Sequence, residues 1–197
     1  MKKFEGFKSE ARAQKFPMLP EGAYVCGIKN VKIDGTEPDQ QLVLRLDIIE
    51  GDWAGYYTKR YNHDKDNADK YDAKYKGDLR LQIPDENNTK RTYEWDVKTF
   101  NTSMYCIEQS NPGYKWDWKE AGLKGKIVGV NVRGGSFNGI EYTQIGRLEV
   151  ADDVRNGLVK PMKRKPDTMG TVDKTAPAAA DPSGFTKVEI DTEDLPF

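Results

Sequence analysis

Cysteine and histidine are nearly missing from this chain. Its 197 residues include two cysteines, Cys26 and Cys106, and one histidine, His63. The cysteines stand far apart and lack metal-ligand spacing, which argues against a disulfide framework or a zinc site and predicts reduced, buried thiols. A lone histidine rules out any histidine cluster, so no metal and no cofactor are expected. Long apolar runs are missing too. Met1-Lys2-Lys3 begins like a secretion signal, but Phe4, Phe7 and Phe16 stand isolated among charged residues. Neither export by that route nor a membrane span is expected, and the expected location is the cytoplasm. There is no large charge of one sign: 31 Lys and Arg face 32 Asp and Glu, a net charge of −1. Hydrophobic residues make up only 37%, and mean hydropathy is −0.82. That is polar for a fully folded chain, so a disordered part is expected.

The distribution of charge says more than its sum. From Pro166 onward, Asp167, Asp173, Asp181, Glu189, Asp191, Glu193 and Asp194 outweigh Lys174 and Lys187. A mildly basic body therefore carries an acidic tail, an asymmetry that hints at nucleic acid. Ala176-Pro177-Ala178-Ala179-Ala180-Asp181-Pro182-Ser183-Gly184 has linker composition. The expected organisation is a domain over 1–155 with a lead-in at 1–20, a linker at 156–187 and a terminal tip at 188–197.

Within the domain the periodicity predicts mainly strands. Ala23 to Ile33 alternates but slips near Gly27, which suggests a bulge. Gln41 to Ile49 places Leu42, Leu44, Leu46 and Ile48 on one face. Tyr56 to Asn62, rich in Tyr, predicts a third strand. The stretch 63–95 is expected to be an insertion, polar from His63 to Asp78, with Leu79 to Ile83 as an added strand. Val97, Phe100, Met104 and Ile107 have helical spacing, predicting a helix over Val97–Gln109 that stops at Asn111-Pro112-Gly113. Lys126 to Val132 and Ile140 to Val150 predict the last two strands, joined through the hairpin dipeptide Asn138-Gly139. Three strands, a helix and a two-strand hairpin are the connectivity of the OB-fold, a five-stranded Greek-key barrel that binds oligonucleotides or oligosaccharides.

The chain ends Glu193-Asp194-Leu195-Pro196-Phe197. Acids before a short apolar tip suit docking. The Phe197 ring can fill a small pocket, its carboxylate can pair with an arginine, and the acids can steer toward basic rims. This ending resembles the acidic tip of bacterial single-stranded-DNA-binding proteins. The body, around Pro17 to Ile33 and Gly122 to Val150, resembles the single-stranded-DNA-binding proteins of bacteriophages. The resemblance implies a protein that coats single-stranded DNA in the bacterial host cytoplasm during replication, recombination and repair. It also implies recruitment of replication and repair proteins through the tip, and a homo-oligomer is among the expectations.

Single-strand binding needs cations along the phosphates and aromatic faces for the bases. The candidates are Lys29 and Lys32 on the first strand, Arg45 on the second, Trp53 in a turn, and Tyr57, Lys59 and Tyr61 on the third. The final hairpin adds Arg133, Phe137, Tyr142 and Arg147. Trp116 and Trp118 are expected to pack against the barrel. Two alternatives stand beside a non-enzymatic coat. One is a strand-annealing mediator on the same fold. The other is a metal-dependent nuclease, because Pro84-Asp85 precedes Asp96-Val97-Lys98 by ten residues. That chemistry would use Asp85 and Asp96 on Mg²⁺ and Lys98 on the phosphate, and it needs them on adjacent strands.

Overall fold

The leucine alternation of the second strand organises the core. In a computed structural model, which describes residues 16–67 and 73–166, Leu42, Leu44, Leu46 and Ile48 are all buried on strand β2, Gln41–Ile48. On one side β2 pairs with β1, Gly22–Asp34, and on the other with β3, Asp78–Gln82. The N-terminal half of β1 pairs with β4, Ile127–Phe137, which forms a hairpin with β5, Ile140–Glu149. The result is one antiparallel five-stranded sheet in the order β3-β2-β1-β4-β5. Its two edge strands, β3 and β5, come into contact but share no ladder, so the sheet is curved and does not close into a barrel.

Two turn features follow directly from the residues. The pairing of β1 with β2 shifts register between Ile28 and Asn30, which leaves Lys29 in a bulge close to the expected slip. Asn138 and Gly139 both have positive φ, 51° and 73°, as a tight hairpin turn of this hand requires.

Three α-helices accompany the sheet among the described residues: α1 Tyr56–Asp66, α2 Tyr93–Ser110 and the short α3 Ala151–Arg155. The helix α2 begins earlier than its periodicity suggests. Glu94 and Asp96 lie in its first turn, where carboxylates meet the positive end of the helix dipole. It buries Phe100, Met104 and Ile107 and packs against β3, β4 and β5. Asn111 fixes its end: the side-chain amide donates to the Ile107 and Ile127 carbonyls and accepts from the Ile127 N–H.

The segment Tyr56–Asn62 is a helix and not the expected third strand. Tyrosine content and alternation favoured a strand, but a buried carboxylate from β2 overrides them. Asp47, 3% exposed, accepts from the Tyr57 N–H at 3.0 Å and the Thr58 hydroxyl at 2.5 Å. It therefore caps the start of α1 from outside the helix, which has no acid in its own first turn. The third strand of the sheet is β3, from the stretch expected only as an addition. Its Leu79 and Leu81 face the core opposite Leu44 and Leu42.

The lead-in is partly built into the body. Leu19 is a core residue; its N–H donates to the Tyr56 hydroxyl, which itself donates to the Pro17 carbonyl. Phe16 packs on the rings of Tyr56 and His63. Residues 1–15 of the lead-in, and the tail from 167, including Glu193 to Phe197, lie outside the described residues. Both cysteines are free and buried, and burial pushes the Cys106 thiol up to about 11. Among the described residues no helix is long and apolar enough to cross a membrane.

Candidate nucleic-acid interface

The face of the sheet opposite the leucines carries three cross-strand rungs, polar except for the buried Val43. Strand register sets Asn30, Arg45 and Asp78 side by side, then Lys32, Val43 and Arg80, then Asp34, Gln41 and Gln82. The segment that enters β3 runs alongside β2. Gly77 accepts the Leu46 N–H at 2.9 Å, and Tyr75 donates its hydroxyl to the Leu46 carbonyl at 2.9 Å. Only glycine fits at 77, because a Cβ there would lie 2.4 Å from the Leu46 oxygen. Helix α1 brings Tyr61 alongside, with its ring 6.0 Å from that of Tyr75. Between them opens a groove of roughly 500 Å³ lined by Arg45, Tyr61, Lys74, Tyr75, Lys76, Asp78 and Arg80.

The groove's cations are held in fixed positions. The Arg45 guanidinium lies 4.7 Å from the centre of the Tyr75 ring, and its Nε and Nη2 donate to the two oxygens of Asp78 at 2.9 and 3.0 Å. This fork raises the Arg45 pKa. Arg80 donates to Asp34 at 2.7 Å and to Gln41 at 3.2 Å. The Arg80 bond, helped by Lys32 at 3.5 Å, holds the Asp34 carboxyl below the usual range. Burial pushes the Tyr75 hydroxyl up to about 12, so the ring stays neutral. The groove therefore offers aromatic surface beside guanidinium forks, the combination that takes a base and a phosphate together.

The expected contact residues divide. Arg45 and Tyr61 line this groove, and Lys32 lies one rung away. Lys29 is exposed in the bulge. Tyr57 is 4% exposed and part of the core, so it has no free face for a base. Lys59 is exposed on α1 and donates to the Ala54 carbonyl. Trp53 packs edge-on against Tyr56. It lines hollows with Phe16 and Lys59 and with Glu50, Asp52 and Arg155, and not the groove. Tyr75, Arg80, Lys74 and Lys76 are not among the expected contacts, because 63–95 reads as an insertion. The usable signal was Lys74-Tyr75-Lys76, cations alternating with a ring, leading into a strand of core leucines.

The hairpin residues form a second surface. Phe137 and Ile140 are exposed at its tip, and Tyr142 packs over Gly135. Arg133 is half-buried, and Arg147 pairs with Glu149 at 2.6 Å. The first part of the expected linker lies against this surface. Asn131 donates to the Lys160 carbonyl, the Lys165 N–H donates to Gly134, and Arg164 pairs with Glu21 and Glu141. The strap adds Lys160, Lys163, Arg164 and Lys165 to the β4–β5 side.

A further hollow, of about 240 Å³, lies against α2 between Phe100, Tyr105, Trp116 and Trp118. Trp116 packs on the core as expected, but Trp118 points outward, 74% exposed, with its ring nearly parallel to Phe100. The nuclease residues do not occupy adjacent strands. Asp85 lies in a loop, where it accepts from Asn87, while Asp96 and Lys98 are both on α2. Asp96 is buried and gripped by Arg91. Among the described residues no group of three or more His, Cys, Asp or Glu side chains could hold a metal ion.

No family model matches this chain, and no curated protein is significantly similar to it.

Proposed function

We propose that this protein binds single-stranded DNA without sequence preference, through the groove on the outer face of β2 and β3. The observation that carries this reading is the convergence of Arg45, Arg80, Lys74, Lys76, Tyr61 and Tyr75 on one groove. Backbone-tracking cations beside stacking rings are what a single strand needs, and stacking tolerates any base because every base has a π-face. The fold reading behind it is the OB-fold. The order β3-β2-β1-β4-β5, with α2 between β3 and β4, supports that reading, although the β3–β5 seam is open. The hairpin residues and the basic strap form a second candidate contact surface on the β4–β5 side. The tip Glu193 to Phe197 is proposed to recruit replication and repair proteins, on its composition and its resemblance to bacterial tips. Phage or bacterial replication, recombination and repair in the host cytoplasm is the proposed setting, and self-association belongs to the same reading.

The test is fluorescence anisotropy with a labelled oligo-dT and a duplex of equal length. The single strand should bind at least about tenfold more tightly, with an affinity that falls steeply as salt rises. Equal affinity for the duplex would refute the reading. Removing residues 189–197 should leave oligo-dT affinity equal or higher, because these acids repel phosphate. A strand-annealing role would appear in the same samples as faster pairing of complementary oligonucleotides. The nuclease alternative finds no support in the placement of Asp85, Asp96 and Lys98.

A further inference from the structure

Each arginine of the proposed DNA groove is already bound to a carboxylate of the same face. Arg45 is forked onto Asp78, and Arg80 is bonded to Asp34, which Lys32 also approaches. A carboxylate presents two oxygens to a guanidinium fork much as a phosphate does, so the two groups compete for the same donors. These pairs are well exposed: the side chains of Arg45 and Arg80 are 45% and 51% accessible, and those of Asp78 and Asp34 are 21% and 39%. Ion pairs that face water contribute little to folding. Their geometry is nevertheless well defined, since Arg45 also rests on Tyr75 and Arg80 also donates to Gln41.

Resting on the single-strand reading above, we infer that Asp34 and Asp78 are built-in competitors for the groove, holding its arginines in the phosphate-binding orientation and yielding them to DNA. A phosphate entering the groove takes over the donors of Arg45 or Arg80 and leaves the displaced carboxylate to water. An isolated anion gains little from this exchange, because it must break a made pair to form an equivalent one. A polyanion gains, because one chain engages Arg45, Arg80, Lys74 and Lys76 together while its bases stack on Tyr61 and Tyr75. The two aspartates thus set a threshold that selects connected phosphates over single ones. They also lower the affinity for DNA below what the cations alone would give.

The test compares the full chain with its Asp34→Asn and Asp78→Asn variants, using oligo-dT anisotropy at one fixed salt concentration. Asparagine keeps the shape of the side chain and one acceptor oxygen while removing the charge. Each variant should bind about tenfold more tightly, the effect of removing one charge a few ångströms from a phosphate near a protein surface. Asp117→Asn is the control: it makes the same change in net charge at a residue that does not line the groove. Inorganic phosphate should compete more effectively with oligo-dT on the two groove variants than on the parent. If the parent binds oligo-dT but the groove variants gain no more than the Asp117→Asn control, or bind more weakly, the competitor role is wrong and the DNA reading stands. If neither the parent nor the variants bind oligo-dT, both fall.

Discussion

Replacing Arg45 and Arg80 together with alanine is expected to lower the affinity for oligo-dT by about a hundredfold or more near 0.1 M salt. Each guanidinium supplies a charge-assisted hydrogen bond, and such bonds contribute roughly 1.5–3 kcal/mol each. Two such losses add up, because the arginines occupy different rungs and bind different carboxylates. The fold should tolerate the change, since both side chains are about half exposed and their ion pairs face water. Denaturation midpoints within a few degrees of the parent would assign the lost affinity to the site. A parallel pair of lysine variants should recover only part of it. Lysine restores the charge but not the fork, and in Arg45 it also loses the planar contact with Tyr75.

Asp47→Ala is expected to have the largest effect on stability, about 3 kcal/mol or more by urea denaturation. The carboxylate is buried and accepts from the Ile48 and Tyr57 N–H groups and from the Thr58 hydroxyl. Its removal leaves the Ile48 and Tyr57 N–H groups without that partner in the interior, and unsatisfied buried groups cost roughly 1–3 kcal/mol each. The consequence reaches the groove. Asp47 holds the first turn of α1, and α1 carries Tyr61 to its place beside Tyr75. Asp47→Asn keeps one acceptor oxygen and should recover part of the stability. Oligo-dT affinity should fall in parallel with the loss of α1, although Asp47 itself does not line the groove.

Much of the sheet was legible in the sequence. All five strands follow from alternation, β3 only as an added strand within the expected insertion, and Asn138-Gly139 marks the hairpin between the last two. The failure at Tyr56–Asn62 has a specific cause. Its tyrosines satisfy strand preference, while the residue that decides for a helix, Asp47, stands in another strand and acts through space. No local window contains both. The same misassignment hid the groove. With a third strand placed at 56–62, Lys74 to Arg80 became an insertion, although Arg80 alternates with the buried Leu79 and Leu81 exactly as a face residue of a core strand should. Arg45 and Tyr61 were identifiable singly, as a cation and a ring, but their neighbours were not, because cross-strand register is a property of pairing. Tyr57 illustrates the converse. In a strand it would share a face with Lys59 and Tyr61, whereas the helix turns it into the core.

The central claim is that a single strand lies in the Arg45–Tyr75–Arg80 groove, and photocrosslinking tests it most directly. An oligo-dT carrying 5-iododeoxyuridine at successive positions, irradiated in complex with the full chain, couples to the aromatic rings that its bases touch. Peptide mass mapping should then place the adducts on Tyr61 and Tyr75. Adducts confined to the outward rings Trp95 and Tyr105 of α2 and the neighbouring Trp118, from a complex that forms with full affinity, would contradict the claim and move the DNA to another aromatic surface of the protein.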